Sequence, residues 1–211
     1  MTDGQSFCIL EINMAIKVDK VQKRKDIALS CKDIIFLHGI GDLTISKIAK
    51  TAGVGKGTIY DYFKNKEDIV FEIVNILIQE RNLKIEKQIS QTSATKDKLK
   101  LFNSFFYSDE DVELRGLYKE FISISLSHPD EEMIEFQTKC FDGYYGWFEK
   151  IIRDAIEQGE IIEQSKDLTR GMFVIAEGMF IASSATNSIE SVEDEINNYI
   201  DTIFELIEVK K

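Results

Sequence analysis

Between Thr44 and Phe63 the chain reads TISKIAKTAGVGKGTIYDYF, two short amphipathic runs joined at a glycine. In the first run Ile45, Ile48, Ala49 and Ala52 recur at i, i+3, i+4 and i+7, which is one apolar helical stripe. Ser46, Lys47 and Lys50 are left on the wet side. Thr44 stands where an N-cap belongs, because its hydroxyl can accept from one of the first unpaired N–H groups. Gly53 suits the corner, since a sharp turn out of a helix calls for positive φ and glycine adopts it without steric cost. Ile59 and Phe63, at i and i+4, anchor the second helix.

At about 100° per residue, Gly57, Asp61 and Lys64 point away from Ile59, with Thr58 and Tyr60 flanking them. A face with a basic group, hydroxyls, an aromatic ring and a glycine that permits close approach suits a helix laid in the major groove of DNA. A plain helical hairpin packed on a core would share the same spacing. The wording separates the two. The segment TISKIAKTAGVGKGTIYDYFKNKEDI, from Thr44 to Ile69, resembles the DNA-binding segment of the tetracycline-repressor (TetR) family of bacterial transcription regulators. It follows the family pattern T-hydrophobic-x-x-I-A-x-x-A-G-V-x-x-G-x-hydrophobic-Y-x-Y-F-x-x-K-E nearly throughout.

The resemblance implies that Lys56, Gly57, Thr58 and Tyr60 face bases and that Thr44, Tyr62 and Lys66 hold phosphates, with Lys64 beside them on the outer face. Basic side chains read guanine edges, and hydroxyl or N–H groups grip phosphate oxygens. Tyr62 falls about 60° from Ile59, so packing behind the helix is its other reading. Asp61 departs from the family, which often carries a neutral residue there. It would need a bond from a cytosine amino group or a pairing with Lys64.

Net charge is −11, which alone argues against nucleic acid, but its distribution does not. Residues 14–66 hold 11 Lys/Arg against 5 Asp/Glu, whereas residues 67–211 hold 15 against 30. One end attracts phosphate and the other is repelled by it. Three cysteines without a CxxC and two histidines give neither a disulfide framework nor metal-ligand spacing, which fits free thiols in a reducing cytosol. No apolar run approaches the roughly 20 residues of a membrane span, and the N-terminus lacks the basic region of a secretion signal. The expected location is the bacterial cytoplasm.

Taken in order, residues 1–13 read as a flexible tail, and Met14 opens a stretch more like a family start, so translation from Met14 is an alternative to Met1. A helix over 20–38 uses Ile27, Cys31, Ile34 and Ile35 as its core stripe, with Lys20, Lys23, Arg24 and Lys25 as either a solvated face or phosphate contacts. A long helix over 64–89, capped by Asn65 and carrying Ile69, Ile73, Ile76, Leu77, Leu83 and Ile85, would join the basic end to the acidic remainder. The polar tract 90–98 reads as a loop. Helices over 97–107, 110–127, 130–158, 167–185 and 191–209 follow, with Pro129 as a break and Gly159 as a C-cap. The helix over 167–185 is apolar nearly all round and needs cover on several sides. A second copy is the economical partner.

The expected fold is therefore all-α with about nine helices. Residues 1–13 form the tail, 14–65 a three-helix helix-turn-helix domain, and 66–211 a helical ligand-binding and dimerisation domain. The stretch 158–180 resembles the family's penultimate-helix region. The resemblance implies a pocket enclosed by the helices spanning 66–89, 97–127, 130–158 and 167–185 for a small hydrophobic or amphipathic effector, whose identity the sequence does not reveal. Phe102, Phe106, Phe121, Tyr144, Trp147, Phe173 and Glu177 are the candidates, with core packing as the plainer reading of the aromatics. Glu177, an acid in an apolar helix, needs a partner: a cationic ligand, a lysine or a backbone group.

The expected function is a DNA-binding transcription regulator, a ligand-released repressor that binds a pseudo-palindromic double-stranded operator as a homodimer through the helices at 167–185 and 191–209. A DNA-binding structural or cell-division factor of the same fold without an effector is one alternative. A sensor module that has lost DNA binding is another. No catalytic constellation surrounds His38 or His128, VGKGT lacks P-loop spacing, and no cofactor, metal or membrane partner is expected.

Overall fold

A computed structural model of the chain describes residues 19–127 and 131–210. The tail over 1–13, the Met14 start, His128 and Pro129 lie outside the described residues. The chain divides into two compact units between Gln79 and Glu80.

In the N-terminal unit, α1 covers residues 19–30 and α2 spans Lys32–His38. The single expected helix is thus interrupted at Cys31, whose N–H turns back to Ala28 O at 2.9 Å while its own carbonyl accepts from Ile35. Ile27, Cys31 and Ile35 are buried as the stripe requires, and Ile34 is half-buried. Gly39 ends α2 at φ 75°. The helices α3 (Ile45–Ala52) and α4 (Lys56–Tyr62) follow. Thr44 Oγ1 accepts from the Lys47 N–H at 3.2 Å, and Gly53 takes φ 66°, so both ends of α3 close by the devices its sequence offers. Ile48, Ile59, Phe63, Ile69 and Ile73 form the centre of this unit, none more than 2% exposed.

The helix α5 spans Lys66–Gln91. Its start is a near-reciprocal cap: Asn65 Oδ1 accepts from the Asp68 N–H at 2.7 Å, and the Asp68 carboxylate accepts from the Lys64 N–H at 3.1 Å. Two expectations for this region are corrected. The helix runs to Gln91 and the next begins at Thr95, so the loop is only 92–94; Thr95 starts its helix by bonding Glu160 through both its N–H and its hydroxyl. Leu83 is 70% exposed because it lies about 200° from Ile85, off the stripe it was assigned to.

In the C-terminal unit, α6 (Thr95–Asn103) passes through short 3₁₀ turns to α7 (Val112–Ser127), followed by α8 (Glu131–Glu157), α9 (Ser165–Ala185) and α10 (Val192–Ile207). Ile85, Leu99, Phe102, Phe148, Ile152, Met172, Ile196 and Phe204 belong to one buried cluster. Gly159 caps α8 at φ 67°. Beyond it a two-bond clasp holds the chain end, with the Ile162 N–H on Ile207 O and the Val209 N–H on Glu160 O, each 2.9 Å. With the pieces around Cys31 taken as one, the described residues form nine α-helices and no strand beyond that isolated bridge.

Candidate functional site

The α3–α4 corner presents its outer face as the spacing predicts. Ile59 is fully buried and Phe63 nearly so, while Lys56, Gly57, Tyr60, Asp61 and Lys64 are exposed on the far side. Thr58 is half-buried, and a Cβ placed on Gly57 would meet nothing within 4 Å. Thr44 is exposed but spends its hydroxyl on the α3 cap. Tyr62 is half-buried, and its carbonyl accepts from Arg24 Nη1. Lys66 bends back, its ammonium donating to Ile40 O at 3.3 Å and Gly41 O at 3.4 Å, so it steadies the α2–α3 corner. The eight candidates therefore form one neighbourhood with two tiers, an exposed one around Lys56 and a supporting one around Lys66.

Arg24 is not part of the solvated basic run. Its guanidinium reaches Asp68 at 2.7 Å and Glu72 at 2.8 Å and lies 4.3 Å from the centre of the Phe63 ring. Burial alone would raise the Asp68 carboxyl. The bonds from Arg24 and the Lys64 N–H outweigh it and hold that group below its ordinary value. Burial likewise works against the Arg24 charge, and the bonds to Asp68 and Glu72 overcome it. The periodic signal was present, because Arg24 falls on the stripe of Ile27, Cys31 and Ile35.

Among the effector candidates, Phe102 is the hub. Its ring centre lies 5.3 Å from Trp147, 6.1 Å from Tyr144 and 6.2 Å from Phe173. Phe106 packs against Phe180 at 5.6 Å, and Phe121 against Phe136 at 5.7 Å. Glu177 finds a partner outside the expected set, the Tyr118 hydroxyl. Burial and that carboxylate push the Tyr118 phenol far above its usual range. An open cleft of about 610 Å³, lined by Asp97, Lys100, Tyr107, Asp109 and Glu193 among others, includes none of the seven candidates.

Sequence reasoning missed Arg81. It is 9% exposed, sits in register with Leu77 and Ile85, and donates from Nε to Asp111 at 3.0 Å over the Phe105 ring. Arg115 shares that carboxylate's field. Burial lowers its guanidinium, Asp111 and Asp109 oppose the change, and the Arg81 charge adds to it. Among the described residues, no group of three His, Cys, Asp or Glu side chains is placed to hold a metal, and no helix is long and apolar enough to cross a membrane.

Comparison with known proteins agrees with this geometry. The profile for bacterial regulatory proteins of the tetR family matches residues 32–73. The fatty acid metabolism regulator protein of Bacillus subtilis is 32% identical over 133 residues, which cover 62% of this chain and 66% of that relative. A TetR-family regulator from Cytophaga hutchinsonii superposes with a TM-score of 0.73 at 16% identity, over 92% of this chain and 98% of that one. The regulator FadR of Bacillus subtilis, solved in complex with stearoyl-CoA, does so with a TM-score of 0.57 at 23% identity, over 85% and 96%. At those identities the superpositions speak for the fold. The helix-turn-helix wording, the all-α architecture and the matched profile meet in one conclusion: the chain belongs to the TetR family of bacterial regulatory proteins.

Proposed function

We propose that the protein is a transcription regulator that binds a pseudo-palindromic operator as a homodimer and is released from it by a small amphipathic effector carrying a long acyl chain. The observation that carries the DNA reading is the split along α4, with Ile59 and Phe63 buried and Lys56, Gly57, Tyr60 and Lys64 facing solvent together. A two-fold pair would set two such faces about one helical turn of DNA apart, ~34–36 Å. Apolar side chains left in solvent on the last two helices support self-association there, with Leu168 45%, Val174 37% and Leu206 72% exposed. The acyl reading draws on the fatty acid metabolism regulator at 32% identity and on the aromatic hub around Phe102.

Release requires only that the effector prefer the dimer arrangement that misplaces the two reading faces. Moving such a balance from 1:99 to 99:1 takes about 5.5 kcal/mol of differential affinity, shared by the two protomers. The test is a gel shift on the intergenic DNA upstream of the gene, with and without stearoyl-CoA, beside sedimentation of the free protein. A dimer that retards this DNA and lets go on addition of the acyl compound supports the reading. A monomer indifferent to duplex DNA at low salt would end it.

A further inference from the structure

We infer that Arg81 is the anchor for an anionic headgroup, a carboxylate or a phosphate, on an amphiphile whose apolar body lies along Tyr144 and Phe102. This rests on the acyl-effector reading and deepens it.

The argument begins with unspent donors. Arg81 carries five N–H groups in a rigid plane, and its side chain is 7% exposed. Nε is committed to Asp111, while Nη2 is buried without a hydrogen-bond partner among the described residues. A charged N–H₂ held away from water with no acceptor is costly, and native chains seldom leave one so. An incoming oxyanion would satisfy it. The plane is already fixed, because the guanidinium lies 5.1 Å from the Phe105 ring centre. A planar fork held on an aromatic face is preorganised for carboxylate or phosphate oxygens.

The local charge is balanced, so an incoming anion meets no net negative field at this spot. Arg81 and Arg115 both act on Asp111, whose side chain is 13% exposed, and Arg115 spends Nη1 on the carbonyls of Phe105 and Ser108. Asp109 adds a second carboxylate beside the half-buried Asp111, so the two cations are balanced there, within an otherwise acidic half of the chain. Arg81 also stands next to the aromatic hub. Its guanidinium acts on the Tyr144 hydroxyl through its charge and through a hydrogen bond, that hydroxyl donates to Asn82 Oδ1 at 2.8 Å, and the Tyr144 ring lies 6.1 Å from Phe102. An amphiphile seated head-first on Nη2 would have its chain beside those rings. The bond from Nε to Asp111 and the contact with Tyr144 account for the ties of Arg81 within the fold and leave Nη2 over.

The test titrates the full-length protein with dodecanoate, monododecyl phosphate and dodecanol by calorimetry. The native protein is expected to bind at least one of the two anions roughly tenfold or more tightly than the alcohol, the gain of a charge-assisted bond. The favoured anion distinguishes a free fatty carboxylate from a phosphorylated carrier. Arg81→Met should erase the preference and keep dodecanol affinity, Arg81→Lys should restore part of it, and Asp111→Asn, which breaks the ion pair but leaves the cation, should keep it. Equal binding of all three by the native protein overturns the assignment, whatever the variants do. So does a preference that survives Arg81→Met or vanishes equally in Asp111→Asn. If dodecanol binds without headgroup preference, only Arg81 loses its role. If none of the three binds, the acyl reading falls and this one with it.

Discussion

Arg24 and Asp68 stand 2.7 Å apart, and between them they close the helix-turn-helix unit. Arg24 comes from α1 and Asp68 from the first turn of α5, and the same guanidinium also holds the last carbonyl of α4, at Tyr62. The helix that presents Lys56 and Gly57 is thus clamped at its C-terminal end by a cation from a different helix. Both side chains are about a quarter exposed, 28% and 24%, so the pair is screened less than a surface bridge and more than a core one. Arg24→Met is expected to destabilise the protein by about 2 kcal/mol in urea denaturation, chiefly by leaving Asp68 and Glu72 without their cation. The slope of log K for DNA against log salt should stay as it is, because this charge is already spent. A slope lower by about 0.9 would instead mark Arg24 as a phosphate contact.

The same pair sets an acid limit. Asp68 is held below its ordinary value of 3.8, so its folded form gives up protons more readily than the unfolded chain. Its contribution is complete above the unfolded value and is lost as pH falls through the lower, folded one. Denaturation curves taken between pH 5 and pH 3 should therefore show stability falling with acid in the native protein. Asp68→Asn should start less stable at pH 5 and lose less over the same interval. Parallel loss in both would mean that other carboxylates govern the acid limb.

Lys56 and Lys66 carry the same charge and should behave differently. Lys56 is exposed on the reading face, whereas Lys66 is partly tied to the carbonyls of Ile40 and Gly41. Lys56→Ala should cost about 1–3 kcal/mol on the specific operator and less on random duplex, with little effect on stability. Lys66→Ala should weaken both kinds of binding and also lower the unfolding midpoint, since it removes a strut of the α2–α3 corner. Anisotropy titrations on specific and random DNA, beside urea curves, separate these outcomes.

Much of this was legible because the helices obey their period and their caps use residues with one obvious purpose: Thr44, Gly53, Asn65 and Gly159. The losses came where a charged residue sits on an apolar stripe. Arg24 shares the register of Ile27 and Cys31, and Arg81 that of Leu77 and Ile85, yet both invite a reading as surface charge by residue type. Position along the helix outweighed type because each found a carboxylate from a segment distant in sequence, which no local window contains. Leu83 erred in the opposite sense, an apolar residue off the stripe. Glu177 was rightly singled out as needing a partner, but a phenol from α7 supplied it, and only the fold brings Tyr118 to it.

Gly57 offers the sharpest separation of stability from function. It lies within α4, is exposed, has no positive φ and has open space where a Cβ would stand. Nothing in the isolated protein asks for glycine there, and alanine is favoured by at most about 0.5–1 kcal/mol, the helix-interior value, because Gly57 is the second residue of α4. Gly53 is the contrast: its φ of 66° strains any other residue, so Gly53→Ala should destabilise by about 1 kcal/mol although it too has room. If Gly57 is kept for close approach of the helix to base pairs, Gly57→Ala should raise the unfolding midpoint and at the same time weaken operator binding. A variant that is more stable and binds as well as the native protein would remove Gly57 from the interface, because its missing side chain would then serve neither fold nor DNA.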